Sequence, residues 1–447
     1  MMRAASEEAC LSEPRVEGTA ALRRVVSRWE IVALSLNDVI GSGVYLLPAA
    51  AAAILGAASV GAVVAAGFAV LLIVLCFAEA GSYFDRPGGA YLYARTAFGD
   101  LVGFEVGWMT WLARVASVAS LSAGFAQALG YLLPAAREGV GRGLAIALPV
   151  LALTAINVVG VKAGARTAVL LAIGKIVPLL VFVVAGAFHF SRATLAGAEP
   201  TGAGSLGEAA LLLLFAYAGF ENTAAPAGEF KNPRRDVPFA LIMQIVLVTL
   251  IYSAVQLVAL GTLPGVAASE TPLADAARRF LGDWGGWLLT LGAVLSILGT
   301  NGNTMLSGPR YLFALAEDGF GPRLLARVHP RFRTPANAVV LQALVAVPLA
   351  LTGTFVKLAA LSVVARLATY IGTAAAVPIL RRKLAALPGT VRLPGGPLIP
   401  IAAVLVCLVL VGSAEPRNLI AGAVAIAAGL VIYAFRRREA PGVQSPS

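Results

Sequence analysis

The sequence predicts an all-α membrane protein with twelve spanning helices. They are arranged as a five-plus-five inverted repeat with broken first and sixth spans, followed by two extra C-terminal helices. Three observations carry this. Hydrophobic residues make up 59% of the chain and charged residues 13%, about half the charged share of a soluble domain. Apolar runs of the roughly 20 residues that a bilayer requires recur from Ile31 to Phe435. Two of those runs are interrupted by glycine and proline at corresponding places in two successive five-helix blocks.

The runs are too long, and alternate too little, for strands of a membrane barrel. Without water in the bilayer core, each must satisfy its own backbone hydrogen bonds as a helix. The expected spans are 31–56, 60–84, 101–133, 143–161, 167–190, 206–229, 237–262, 284–316, 336–353, 356–380, 397–414 and 417–435. The stretch 271–282, TPLADAARRFLG, is amphipathic and too polar to span, and is expected to cap an outer loop as a surface helix. Domain bounds follow: an N-terminal tail 1–28, repeats at 29–190 and 206–383, the last two helices at 397–435, and a C-terminal tail 436–447. The polar residues before Trp29 do not read as a signal peptide.

Charge placement tests the topology. With both tails in the cytoplasm of a cell-membrane protein, 24 of the 34 Lys and Arg fall on the inner side and seven on the outer. Arg114, Lys175 and Arg366 remain within spans. This asymmetry is the positive-inside pattern, and one span more or fewer would scramble it. The net charge of +11 therefore belongs to membrane loops and anionic lipid, with no nucleic-acid partner implied. Cys10, Cys76 and Cys407 are too scattered for a metal site or a disulfide framework, and no cofactor is expected. Nor does a G-x-x-x-x-G-K-[ST] loop or a cluster of catalytic side chains appear, so neither an ATP-driven pump nor an enzyme is expected.

The first span reads LNDVIGSGVYLLPAA and the sixth LFAYAGFENTAAPAGE. Glycine weakens a helix and proline removes a donor, so both segments are expected to unwind near mid-membrane. Interrupted spans in matching positions of two halves are the best sequence pointer to a transporter binding site. Close helix packing at Gly-x-Gly is the competing reading. An unwound helix presents N–H groups at the start of the next half-helix, where an anion is favoured, and carbonyls at the end of the preceding one. A zwitterion needs both. Ser42, Gly43 and Val44, following Gly41, are expected to hold a carboxylate. Carbonyls near Val39, Ile40, Phe215 and Ala218 are expected to hold an amine, with Phe220 and Glu221 beside them.

These residues resemble the amino acid–polyamine–organocation superfamily of transporters. GSGVYLLP is similar to its first-span element, and FAYAGFENTAAPAGEFKNPRRDVPFA to its sixth-span signature running into a basic loop. AEAGSYFDRPGGAYLYARTAFG resembles its loop between the second and third spans, and RYLFALAEDGFGP the end of its eighth. The resemblance implies alternating access and a site between the first, third, sixth, eighth and tenth spans. It makes Phe215 compatible with an aromatic gate and aligns Glu221 with a glutamate tied to pH sensing. It implies secondary transport of small amino acids with protons as coupling ion. An exchanger without net proton coupling and a polyamine transporter stand as alternatives.

Ionisable residues inside a membrane are functional candidates by default. Lys175, in LLAIGKIVPLLVF, resembles a lysine that occupies the sodium position in proton-coupled members, which makes it the candidate for proton coupling. A lysine snorkelling to the inner face is the competing reading. Arg114 departs from the family pattern. It is expected either to pair internally with Glu221, Glu105 or Asp38, or to attract an acidic substrate side chain. Arg366 and Glu79 read as structural pairs or gate ends. Asn301 and Asn303, in the polar run Thr300–Thr304, read equally as site lining and as helix glue.

Overall fold

The computed structural model describes residues 26–84, 89–159, 165–201, 205–224, 230–385 and 388–436. The expected interruption at Pro226 and the turn at Pro87-Gly88 lie outside them. Among the described residues the protein is all-helical, with a single isolated bridge between Val26 and Phe230.

The expected first span is two helices, α1 (Arg28–Val39) and α2 (Gly43–Leu55), followed by α3 (Ser59–Ser82). The loop read from sequence between the second and third spans contains a helix of its own, α4 (Gly89–Phe98). Its half-buried Arg95 pairs with Asp100 and Asp318 at 2.8 Å each, the kind of polar surface that hydropathy alone overlooks. Next come α5 (Asp100–Leu129), α6 (Gly139–Val159), α7 (Ala165–Ala187) and a short α8 (Arg192–Ala196). The sixth run holds α9 (Leu206–Tyr217), which stops well short of the expected end at 229 and passes into a single 3-10 turn over Phe220–Asn222. The chain continues with α10 (Pro233–Thr262), α11 (Pro272–Leu281), α12 (Asp283–Glu317), α13 (Ala336–Thr352), α14 (Phe355–Lys383), α15 (Leu398–Gly412) and α16 (Pro416–Arg436). The amphipathic α11 matches the surface helix read at 271–282, and it buries Leu273, Ala274, Ala276 and Ala277.

Among the described residues, six helical stretches are long and apolar enough to cross a membrane, one of them the continuous run Gly43–Ser82 through α2 and α3. Their outer faces stay apolar: Leu250 of α10 is 64% exposed, Ile420 and Val424 of α16 are 64% and 62%. A soluble monomer rarely leaves such a surface to water.

The centre belongs to α5, flanked by α12 and α14. Small residues allow that approach: along α5, Ala113, Ala116, Ser117, Ala119 and Ser120 are all buried. Ser117 and Ser362 hydroxyls meet at 2.7 Å between α5 and α14. Near one end, Lys231 N–H donates to the Val26 carbonyl at 3.1 Å and Arg28 pairs with Asp236 at 3.0 Å, so the start of α1 is tied to the start of α10.

Candidate functional site

Helix α1 ends where Ile40 turns to an extended conformation (φ −72°, ψ 93°), ahead of Gly41-Ser42-Gly43. Helix α9 ends the same way at Ala218, and Gly219 takes φ +129°, a value that strongly favours glycine. The two interruptions touch. A Cβ on Gly219 would stand 2.7 Å from the Asp38 carbonyl oxygen, and one on Gly43 would stand 2.8 Å from the Ala216 Cα. Only glycine lets the backbones approach this closely.

Carbonyls released at the end of α1 find donors on three other helices. Lys175 of α7, 1% exposed, donates from Nζ to the carbonyls of Asn37 (2.8 Å) and Ile40 (3.1 Å) and to Thr300 Oγ1 (3.0 Å). Ser296 Oγ of α12 donates to the Ile40 carbonyl at 2.9 Å. The Tyr252 hydroxyl of α10 bridges the Val39 (3.2 Å) and Ala216 (3.1 Å) carbonyls, joining the two interrupted segments. The carbonyls of Val39 and Ile40, expected from sequence to meet an amine, thus already hold protein donors. On the other side of the gap, the N–H groups of Ser42, Gly43 and Val44 stand at the start of α2, beyond the reach of any intrahelical acceptor. Ser42 Oγ is buried without a partner.

A narrow cavity lies against both interruptions. Val39, Gly41, Ser42, Gly43, Phe215 and Ala218 from the predicted set line it. Val44 lies behind them against α9 and α10. Phe215 stands edge-on to Phe355, ring centroids 5.8 Å apart. Phe220 does not reach the cavity; it is fully buried, stacked on Tyr370 at 5.1 Å and edge-on to Phe77 at 5.4 Å. Asn301 and Asn303 do not line it either. Asn301 donates to Ser122 Oγ at 3.0 Å, while Asn303 donates to Asp38 Oδ1 at 2.6 Å and so positions a carboxylate that does.

Glu221 is a node. Its Oε1 accepts from Arg114 Nη2 at 3.0 Å and from Arg366 Nη1, while Oε2 accepts from the Gly219 N–H at 2.9 Å and the Tyr370 hydroxyl at 3.3 Å. Arg114 also donates to Asn222 Oδ1, and Arg366 to Ser117 Oγ at 2.5 Å and Ser362 Oγ at 3.3 Å. All three charged side chains are at most 6% exposed. Arg114 thus takes Glu221 among the three carboxylates weighed for it. Arg366 belongs to the same cluster and lines the cavity. Glu79 is separate, held by Arg381 at 2.5 and 2.7 Å.

Sequence reasoning did not place Ser117 and Leu121 on the cavity wall, whereas Thr300 and Thr304 of the polar run do line it. Helical spacing contains the signal: Ser117 and Leu121 lie three and seven residues after Arg114, on one face of α5.

Residues 26–435 match the family model described as "Amino acid permease". The chain belongs to that family. It is therefore a membrane permease and not an enzyme, and the apolar helices fit a membrane setting. This permease is 28% identical over 443 residues to the branched-chain amino acid permease BcaP of Bacillus subtilis, covering 94% of this chain and 95% of that one. It is 30% identical over 435 residues to the serine/threonine exchanger SteT of the same organism, covering 94% and 98%. Over 435 residues it is also 28% identical to the methylthioribose transporter of that organism, covering 94% of each.

Proposed function

We propose that this permease is a secondary active transporter that moves amino acids across the cell membrane by alternating access, with protons as coupling ion. The carrying observation is the contact between two interrupted helices around a narrow cavity, with α2 offering free N–H groups to a carboxylate. In this reading Gly41, Ser42, Gly43 and Val44 receive the carboxylate. The ammonium meets the Ala218 carbonyl and Asp38, since the carbonyls of Val39 and Ile40 are engaged. Phe215 gates the cavity.

Lys175 is the proton-coupling residue in this proposal. Its ammonium ties the end of α1 to α12 through Thr300, so losing the proton loosens the wall behind the substrate. Joining α1 with α2, counting α9 with the turn after it, and setting aside the short α4, α8 and α11 gives twelve spans. The first and sixth, both interrupted, open two five-helix repeats of opposite orientation. Both termini then face the cytoplasm, where Lys and Arg accumulate.

An exchange mechanism without net proton coupling is the second reading, favoured by the similarity to an exchanger. Reconstitution in liposomes and uptake of the common amino acids, with and without an inward proton gradient, separates the two. Gradient-stimulated uptake supports the symporter, and uptake only into preloaded vesicles supports the exchanger. Failure to take up any amino acid, by protein shown to be folded, refutes both.

A further inference from the structure

We propose that the substrate of this permease carries a second anionic group, as acidic amino acids do, and that Arg114 receives it. The inference rests on the amino-acid transport reading above and names the substrate class within the same site.

Charge accounting comes first. Arg114, Arg366 and Lys175 are three buried cations around the two helix interruptions, against two carboxylates, Asp38 and Glu221. Glu221 cannot serve further, because its four hydrogen bonds occupy the acceptor sites of a carboxylate. It also lies outside the cavity lining, to which Arg114 and Arg366 both belong. Counting all five groups leaves one positive charge unmatched, and the charged lining that a solute meets is two arginines and Asp38. The α-amino and α-carboxylate groups of any amino acid cancel one another and leave this excess unchanged. A side-chain carboxylate removes it.

The two arginines are not equivalent. Arg366 donates from Nε, Nη1 and Nη2 to Ser362, Glu221 and Ser117. Arg114 donates from Nη2 to Glu221 and Asn222, and its Nε is buried with no partner. A guanidinium donor left unpaired in a buried wall is costly. An anionic acceptor in the cavity supplies what it lacks, and Arg suits a carboxylate because its donors are arranged as a fork. Arg366 donates to the same Glu221 oxygen, Oε1, so Glu221 keeps a cationic partner when Arg114 turns part of its fork to the substrate.

The test uses pairs of solutes that differ in charge and hardly in shape. Purified protein in proteoliposomes is assayed for uptake of labelled L-glutamate and L-aspartate, with L-glutamine and L-asparagine as competitors and as labelled substrates. We expect the acids to be preferred over their amides by roughly tenfold to a hundredfold, the size of a charged hydrogen bond relative to a neutral one. Arg114→Gln is expected to erase that preference. If the variant does not fold, the acid-to-amide ratio of the unmodified protein still decides. Equal or better uptake of the amides, or uptake of neutral amino acids only, overturns the inference and leaves the amino-acid reading standing. If folded protein takes up no amino acid, both fall.

Discussion

Replacing Glu221 with glutamine asks whether one carboxylate holds two buried arginines together. The substitution keeps shape and removes charge. Its amide nitrogen must then face the Gly219 N–H, the Tyr370 hydroxyl or a guanidinium, two of which offer only donors. With Arg114 and Arg366 at most 6% exposed, neither can recover water as a partner. Breaking a buried ion pair by removing one member costs about 3–5 kcal/mol, a large part of the roughly 5–15 kcal/mol that keeps a domain folded. Glu221→Gln should therefore melt well below the parent in detergent, by the loss of a monodisperse peak on heating. Arg366→Met adds the critical comparison. If charge balance is the cause, the double variant recovers much of the loss, with a coupling of about 1–3 kcal/mol. A parent-like melting profile for Glu221→Gln, or additivity across the cycle, would refute the node.

Three further outcomes follow from the same geometry. Lys175→Gln should abolish stimulation of uptake by an inward proton gradient; unchanged stimulation would remove Lys175 from the coupling mechanism. Gly219→Ala must hold alanine at φ +129° with its Cβ 2.7 Å from the Asp38 carbonyl oxygen. It should cost about 1–3 kcal/mol or more, lowering folded yield, whereas Gly302→Ala, whose nearest contact is Leu153 at 3.5 Å, should express normally. Arg381→Met strands Glu79, which is fully buried and also accepts the Leu393 N–H at 2.9 Å. It should destabilise the protein by about 3–5 kcal/mol, and Arg381→Met/Glu79→Gln should melt closer to the parent than Arg381→Met alone.

Much of this was legible in the sequence for a physical reason: in hydrocarbon, a helix and its interruption leave unmistakable compositional marks. Gly41-Ser42-Gly43 and Ala218-Gly219 sit where α1 and α9 stop. Intramembrane charges are so rare that Arg114, Lys175 and Arg366 stood out before any partner was known. Partner choice was not legible. Nothing local to Arg114 distinguishes Glu221, 107 positions away, from Glu105 nine positions earlier in its own helix, since the decision depends on how α5 and α9 cross. For the same reason the sequence leaves Asn303 open between cavity lining and helix glue, which its bond to Asp38 decides, and suggests Phe220 as a site residue although its ring is locked between Phe77 and Tyr370. Helix α4 escaped because it is amphipathic and short, with no apolar run to mark it.

The way polar groups are claimed around the two interruptions bears on what they bind. Interrupting a helix in a membrane frees carbonyls on one side and N–H groups on the other, and each left without a partner there costs several kcal/mol. Here most of the acceptor side is satisfied by protein. Lys175, Ser296, Thr300 and Tyr252, from three helices, take the carbonyls of Asn37, Val39, Ile40 and Ala216. The donor side is left open: the first N–H groups of α2 have no intrahelical acceptor, and Ser42 Oγ and Arg114 Nε, on two residues that line the cavity, are buried without a partner. With the Ala218 carbonyl and Asp38 left for the ammonium, the wall's free donors favour a ligand with more than one anionic acceptor. Among amino acids that condition is met best by those with two carboxylates, one for the start of α2 and one for Arg114. Backbone and side-chain chemistry therefore point to the same ligand class from different atoms, and a neutral substrate would satisfy only the first.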